Sequence, residues 1–152
     1  MPKNPWLQHY AQAIPYTIYP GRYESFVALL EEALEQFKSL PMYENMGKQL
    51  SYEKVDELTQ AFAAYLQHYT SLVKGDHIAL QLPNLLQYPI AMLGTLRAGM
   101  VVVNVNPLYT PYEMAYQLKD AAAKGIVMLA NFAHNLEQIL HQTDIKIGRA
   151  SC

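Results

Sequence analysis

Apolar residues recur every three or four positions in two segments near the start of the chain, and each pattern predicts an amphipathic helix. The first helix covers residues 26–37, and Ser25 is placed to cap it. The second covers residues 55–69 and is preceded by Ser51, which can cap it in the same way. Between the two helices, residues 42–51 contain an Asn-Met-Gly-Lys turn and predict a small hairpin.

The hydrophobic period changes after residue 76, where short apolar runs are separated by helical patterns. Strands are predicted at residues 77–82, 100–103 and 126–129. Helices are predicted between and after them, at residues 84–97, 110–122 and 135–141. Short strands that alternate with helices of this length favour parallel pairing. The predicted fold class is therefore α/β, a parallel sheet flanked by helices in three layers.

Local signals refine some boundaries of these elements. Thr110-Pro111-Tyr112-Glu113 has the cap residue, proline and glutamate of a capping box at a helix start. Asn84 can cap the preceding helix, although Pro89 favours a regular start nearer Tyr88. Gly125 is expected to separate a helix from the strand that begins at residue 126.

The two ends of the chain differ from its middle. Residues 1–21 hold four of the nine prolines and predict an extended arm rich in tyrosine. Residues 22–147 contain no linker and are interpreted as one α/β subdomain. Residues 144–147 begin like another strand, and residues 148–152 are interpreted as a tail that a vector or a frameshift could add. A sheet cut short there would expose apolar surface, so we expect self-association, with a homodimer as the simplest product.

Composition narrows the function classes. The chain has 152 residues, of which 51% are apolar and 16% charged, so it can bury the core of one domain. Eleven basic against thirteen acidic residues give a net charge of -2 and no basic excess, which argues against a nucleic-acid partner. No run of 18 apolar residues predicts a membrane span. We expect a cytoplasmic protein that is at most peripheral at a membrane.

The chemistry visible in the chain is sparse. The turns after the first two parallel strands contain no glycine, no G-x-S-x-G elbow is present, and the five histidines lack metal-ligand spacing. We therefore expect no catalytic, cofactor-binding or metal-binding residue. Ligands of parallel sheets bind at the carboxyl ends of the strands, which makes Asn84, Asn104, Asn106 and Tyr109 the substrate-edge candidates. The alternatives are helix capping for Asn84 and turn formation for Asn106.

Three segments resemble the AMP-forming acyl-CoA synthetases of the adenylating superfamily. They are Leu50-Ser51-Tyr52 followed by Leu58, then Lys74-Gly75-Asp76 with the strand behind it, and Leu96-Arg97-Ala98-Gly99 running on to Pro107. Residues 83–89 and 104–111 are most similar to the bacterial long-chain fatty acid–CoA ligases. The similarity covers roughly residues 20–145.

The resemblance implies the N-terminal part of the large domain of such a ligase. The full-length enzyme is expected to use ATP, Mg²⁺ and CoA to convert a fatty acid through acyl-AMP into acyl-CoA, with homodimers known in the family. The phosphate loop and the later motifs of the family do not occur here, so no family catalytic residue can be assigned, and this portion alone is expected to be inactive and to bind no cofactor. The alternative is a non-catalytic, flavodoxin-like binding or interaction module. The coding DNA beyond Ile147 would discriminate between the two.

Overall fold

The computed structural model describes residues 4–151. Its first unit consists of helix α1 (Phe26–Gln36), the antiparallel hairpin β1 (Pro41–Asn45) and β2 (Lys48–Ser51), and helix α2 (Tyr52–His68). The amphipathic patterns and the predicted hairpin are thus confirmed. Both predicted serine caps form, because Ser25 Oγ accepts the amide of Ala28 at 3.1 Å and Ser51 Oγ accepts the amide of Lys54 at 3.2 Å.

The rest of the fold alternates strands and helices. In chain order the elements are β3 (His77–Gln81), α3 (Gln87–Arg97), β4 (Val101–Asn104), α4 (Pro111–Asp120), β5 (Ala123–Leu129), α5 (Ala133–Ile139) and β6 (Ile147–Ser151). The strands β3 to β6 form a four-stranded sheet in the order β4-β3-β5-β6, and every neighbouring pair is parallel. This confirms the predicted parallel α/β sheet.

Helices cover both faces of this sheet because alternate residues of its strands are apolar on opposite sides. Ile78 and Leu80 face a core shared with α2 and α3. Ala79 and Ile126 face a second core shared with α4 and α5. A third cluster joins α1, α2 and α3, with Leu34 among its buried members. The result is the predicted three-layer arrangement, with α1 and the hairpin added outside one helical layer.

The N-terminal arm was predicted to be extended, but it contains two 3-10 turns, Pro5–His9 and Pro20–Arg22. Each begins at a proline, whose fixed φ suits the first helical position and whose missing N–H leaves no donor unpaired. Residues 16, 18 and 19 on the arm are among the most exposed large apolar side chains, between 73% and 85% accessible.

Two predictions about the boundaries of elements are wrong. Asn84 does not cap α3, because the chain turns over residues 84–86 and Leu86 holds the N-cap position without a side-chain bond. The later start confirms the effect expected from Pro89, which lies in the first turn of the helix, where its lost N–H is harmless. Gly125 lies within β5, where an added Cβ would sit 2.9 Å from Ile78 Cδ1, so it allows close packing across the sheet.

The predicted end of the sheet is also wrong. The fourth parallel strand does not start at residue 144 and stop at residue 147, but runs as β6 from Ile147 to Ser151 and pairs with β5 from Gly125 to Leu129. Residues 148–151 are therefore part of the sheet rather than a separate tail. Cys152 lies outside the described residues. Along residues 4–151, no helix has the length and apolar character needed to cross a membrane.

Candidate functional site

The candidate site lies at the carboxyl ends of β3 and β4, where the chain leaves the sheet in opposite directions. The chain after β3 runs to α3 on one face, and the chain after β4 runs to α4 on the other. Such a divergence opens a crevice at the strand ends, and ligands of open parallel sheets bind in crevices of this type. Asn84 follows β3 in the chain, and Asn104, Asn106 and Tyr109 lie at the end of β4 or just after it, so all four substrate-edge candidates lie at this end of the sheet.

We call residues 104–109 the edge loop. Two bonds within it define its turn: Asn106 Oδ1 accepts the amide of Leu108 at 3.0 Å, and the carbonyl oxygen of Asn106 accepts the amide of Tyr109 at 3.1 Å. The first is an Asx turn, so the alternative interpretation of Asn106 as a turn residue is confirmed. Its side-chain oxygen is occupied by this turn, while the Asn106 side chain as a whole remains exposed.

Side chains from three other elements bind the edge loop. The Tyr88 hydroxyl of α3 donates to Asn104 Oδ1 at 2.8 Å, which links the two sides of the crevice. The Gln117 amide of α4 donates to the Asn104 carbonyl oxygen at 2.9 Å, and the Gln81 amide of β3 donates to the Asn106 carbonyl oxygen at 3.3 Å. The loop is therefore held at both of its asparagines.

Asn84 borders a cleft of about 370 Å³ between the hairpin and the start of α3. The amide of Asn45 in the hairpin donates to the Asn84 carbonyl oxygen at 3.0 Å and fixes this turn. The Asn84 side chain makes no hydrogen bond within residues 4–151. Tyr43 lines the same cleft, and burial, together with the neighbouring Tyr52, raises the pKa of its hydroxyl. The cleft is mostly apolar, and Asn84 supplies a free amide at its rim.

Tyr109 borders a different cleft, of about 320 Å³, on the α4 side of the sheet. Its ring is half-buried against the second core, and the exposed rings of Tyr112 and Tyr116 lie along the same cleft. Glu113, also in this cleft, accepts the hydroxyl and the amide of Thr110, at 2.7 Å and 2.9 Å, and these bonds lower the pKa of its carboxyl. The structure thus places Asn84 and Tyr109 in separate clefts, with Asn104 and Asn106 between them.

The predicted capping box is confirmed by the same contacts, since Thr110 Oγ1 also accepts the amide of Glu113 at 3.4 Å. It fixes where α4 begins and therefore where the edge loop ends. No group of three histidine, cysteine or acidic side chains is arranged to hold a metal ion anywhere in residues 4–151.

Parts of two segments on which the family resemblance rests, around Asp76 and around Gly99, lie at the opposite end of the sheet. The carboxyl of Asp76 accepts Lys124 Nζ at 2.6 Å and the Val73 amide at 2.9 Å, and these bonds lower its pKa. Gly75 and Gly99 both have positive φ, +89° and +77°, and the amide of Gly75 donates to the Gly99 carbonyl oxygen at 2.9 Å. These contacts join the loop before β3 to the loop before β4 and to β5.

Sequence reasoning missed the polar side chains that hold the edge loop, Gln81, Tyr88 and Gln117. A usable signal existed for Gln81, which is the one polar residue in the apolar run of residues 78–82. The structure buries it completely. No comparable signal marked Tyr88 or Gln117, since aromatic and amide residues are common on helix surfaces.

Comparison with known proteins adds evidence of a different kind. The family described as AMP-binding enzyme matches residues 30–150, which include the sheet, the edge loop and most of the helices. The chain belongs to the AMP-binding enzyme family. Among individual relatives, the long-chain-fatty-acid–CoA ligase of Salmonella typhimurium is 49% identical over 144 residues, which is 95% of this chain and 26% of that protein. The ligase of the same name from Bacillus subtilis is 38% identical over 129 residues, or 84% of this chain and 22% of that protein.

Solved structures of AMP-binding enzymes agree in fold. A long-chain-fatty-acid-CoA ligase from Archaeoglobus fulgidus superposes with a TM-score of 0.77 over 93% of this chain and 30% of that one, at 21% identity. The chain thus corresponds to the N-terminal part of such proteins, and it spans about a quarter of the length of the curated relatives it matches.

Proposed function

We propose that this chain is the N-terminal part of a long-chain fatty acid–CoA ligase. The observation that carries the proposal is the 49% identity to the Salmonella typhimurium ligase along 95% of this chain. The matched stretch of 144 residues covers nearly the whole of this chain. Nothing in the comparisons supports the alternative of a non-catalytic, flavodoxin-like module.

In the proposed reaction, the carboxylate oxygen of a fatty acid attacks the α-phosphorus of ATP, and pyrophosphate leaves. The sulfur of CoA then attacks the carbonyl carbon of the acyl-AMP, its thiol proton is lost, and AMP leaves. Mg²⁺ would neutralise charge on the phosphates during the first step. The described residues contribute the parallel sheet and its carboxyl edge, on which the rest of the site would be assembled.

The four substrate-edge candidates differ in how free their side chains are to contact a ligand. Asn104 and Asn106 use their side-chain oxygens in bonds to Tyr88 and Leu108, but their side chains remain exposed, so their amide nitrogens can still donate to a ligand. Asn84 has an unengaged side chain at the rim of an apolar cleft. Tyr109 is half-buried and contributes one wall of the second cleft.

The remaining features of the proposal concern the protein's surroundings. We propose a cytoplasmic enzyme that forms homodimers and can associate peripherally with the inner membrane. The exposed apolar side chains of the arm support a role in contact with another surface, because exposed apolar clusters of this kind usually mark interaction sites. The division into an arm of residues 1–21 and a subdomain from residue 22 onward remains a prediction.

A chimera tests the proposal. This chain would replace the matching quarter of the Salmonella typhimurium ligase, and oleate-dependent release of pyrophosphate from ATP would be measured. We expect activity within about tenfold of the native enzyme, because the buried contacts between the two parts should be largely shared at this level of identity.

A second chimera serves as the matched control. It carries the equivalent segment of the benzoate CoA ligase from Burkholderia xenovorans, which has the same fold at 24% identity to this chain. A chimera with this chain that is folded by circular dichroism, yet no more active on oleate than the control chimera, would contradict the proposal.

A further inference from the structure

We infer that Gln81 and Gln117 are positioning residues that hold the edge loop in the geometry needed for substrate binding. The functional half of this inference rests on the proposed ligase activity, whereas the structural half can be measured on the chain alone. Neither glutamine belongs to the four substrate-edge candidates. Gln81 is completely buried, and Gln117 is partly buried and lines the cleft beside Tyr109.

The two glutamines approach the edge loop from different elements on the same side of the sheet. Residues alternate across a strand, so Gln81 shares with Ala79 the face that α4 covers. Gln117 belongs to α4 itself. Their amide nitrogens bind the carbonyl oxygens of Asn106 and Asn104, two residues apart along the loop. The backbone of the loop is therefore hydrogen-bonded at two points by side chains of β3 and α4.

This arrangement lowers the stability of the fold, which is unusual for buried side chains. Among the described residues, the side-chain oxygens of Gln81 and Gln117 are both buried and have no hydrogen-bond donor. A buried oxygen without a donor costs stability, so an apolar side chain of the same length would be the better choice if only core packing mattered. Glutamine at both positions is explained if the amide nitrogens are needed to place the loop.

This reasoning predicts an effect that separates positioning from general stability. In Gln81→Met and Gln117→Met, the chain loses one hydrogen bond to the loop, which lowers the free energy of unfolding, and one unpaired buried oxygen, which raises it. Because the two effects offset each other, the melting temperature should change little. The loop itself loses a bond of ordinary strength, roughly a fivefold factor in local opening. A merely structural role would instead lower the melting temperature and loosen the whole sheet together.

The first experiment measures amide hydrogen exchange by NMR in the purified chain and in both variants. We expect the amides of Leu108 and Tyr109 to exchange about fivefold faster in each variant, with the amides of β3 unchanged. Gln138→Met is the matched control, because Gln138 is exposed and its amide bonds only to His134 of its own helix. Equal acceleration in β3 and the loop, or no acceleration in either variant, would overturn the inference, as would absence of protection in the unmodified chain.

The second experiment introduces the same changes into the active chimera. We expect the KM for oleate or for ATP to rise about fivefold while kcat stays within about twofold, since a misplaced loop weakens binding. A fall in kcat at constant KM would overturn the positioning role. An inactive parent chimera would count against the proposed function alone, because the exchange measurement does not depend on activity.

Discussion

Replacement of Gly94 by alanine tests how the helical layer over one face of the sheet is packed. Gly94 is buried on α3 where this helix crosses α2. A Cβ at this position would lie 2.8 Å from Cδ1 of Phe62 and 3.0 Å from the backbone oxygen of Thr59. The ring of Phe62 stacks on the ring of Tyr65, with 6.3 Å between their centroids, but it can still rotate away. The carbonyl of Thr59 belongs to the backbone of α2 and cannot move in this way.

Two opposing effects determine the expected size. Alanine favours a helix interior over glycine by about 1 kcal/mol. Extra atoms forced into a packed core cost about 1–3 kcal/mol, and contact with a fixed backbone atom places Gly94→Ala toward the upper end. We therefore expect a net loss of about 1–2 kcal/mol in the free energy of unfolding, or a melting temperature lower by about 2–8 °C for a domain of this size.

Urea unfolding followed by circular dichroism measures this loss. Gly21→Ala is the control, because Gly21 is exposed and nothing lies within 4 Å of an added Cβ. We expect the control to stay within about 0.5 kcal/mol of the unmodified chain. A Gly94→Ala midpoint at or above that of the unmodified chain would show that the α2–α3 crossing is looser than described, and the reasoning would fail.

Three further predictions concern other parts of the chain. Asp76→Asn should lower stability by about 1–3 kcal/mol at neutral pH, because Lys124 and the Val73 amide lose their charged acceptor. The bond to Lys124 is the main cause that lowers the folded-state pKa of Asp76 from 3.8, so its contribution is present above about pH 4 and is lost only as the pH falls through the lower folded value. Thermal melts of the variant and the unmodified chain should therefore begin to converge only below about pH 4. Thr110→Ala should cost about 0.5–2 kcal/mol through loss of the capping box, and an unchanged melting temperature would contradict the assigned cap. Titration of the chain alone with ATP and Mg²⁺ should give no saturable heat by calorimetry, because the turns after β3 and β4 carry no glycine-rich phosphate loop.

The parts of the fold that could be predicted are those encoded locally. The capping box at Thr110 depends on residues within one turn, and the strands β3 and β4 on uninterrupted short runs, so the pattern alone indicated both. The missed features depend on distant residues. Asn84 is drawn into a turn by Asn45 of the hairpin, 39 positions earlier, and Gly125 is needed in β5 because of Ile78 on the neighbouring strand.

The candidate site divides in the same way. Its location followed from topology, because the carboxyl ends of parallel strands meet at one edge of a sheet. The contacts that shape it did not, since Gln81 lies 25 positions from Asn106 and the bond between them exists only in the folded chain. The turn role of Asn106 was accessible because its partner, Leu108, is two residues away.

The most direct test of the central claim is the complete reaction of the chimera that carries this chain in the Salmonella typhimurium ligase. Oleate, ATP and CoA would be supplied together, and the products identified by mass spectrometry. The account predicts oleoyl-CoA and AMP in equal amounts, with none of the thioester formed when ATP or CoA is omitted. A folded chimera that yields no oleoyl-CoA under conditions in which the native ligase does would contradict the claim that this chain is the N-terminal part of a long-chain fatty acid–CoA ligase.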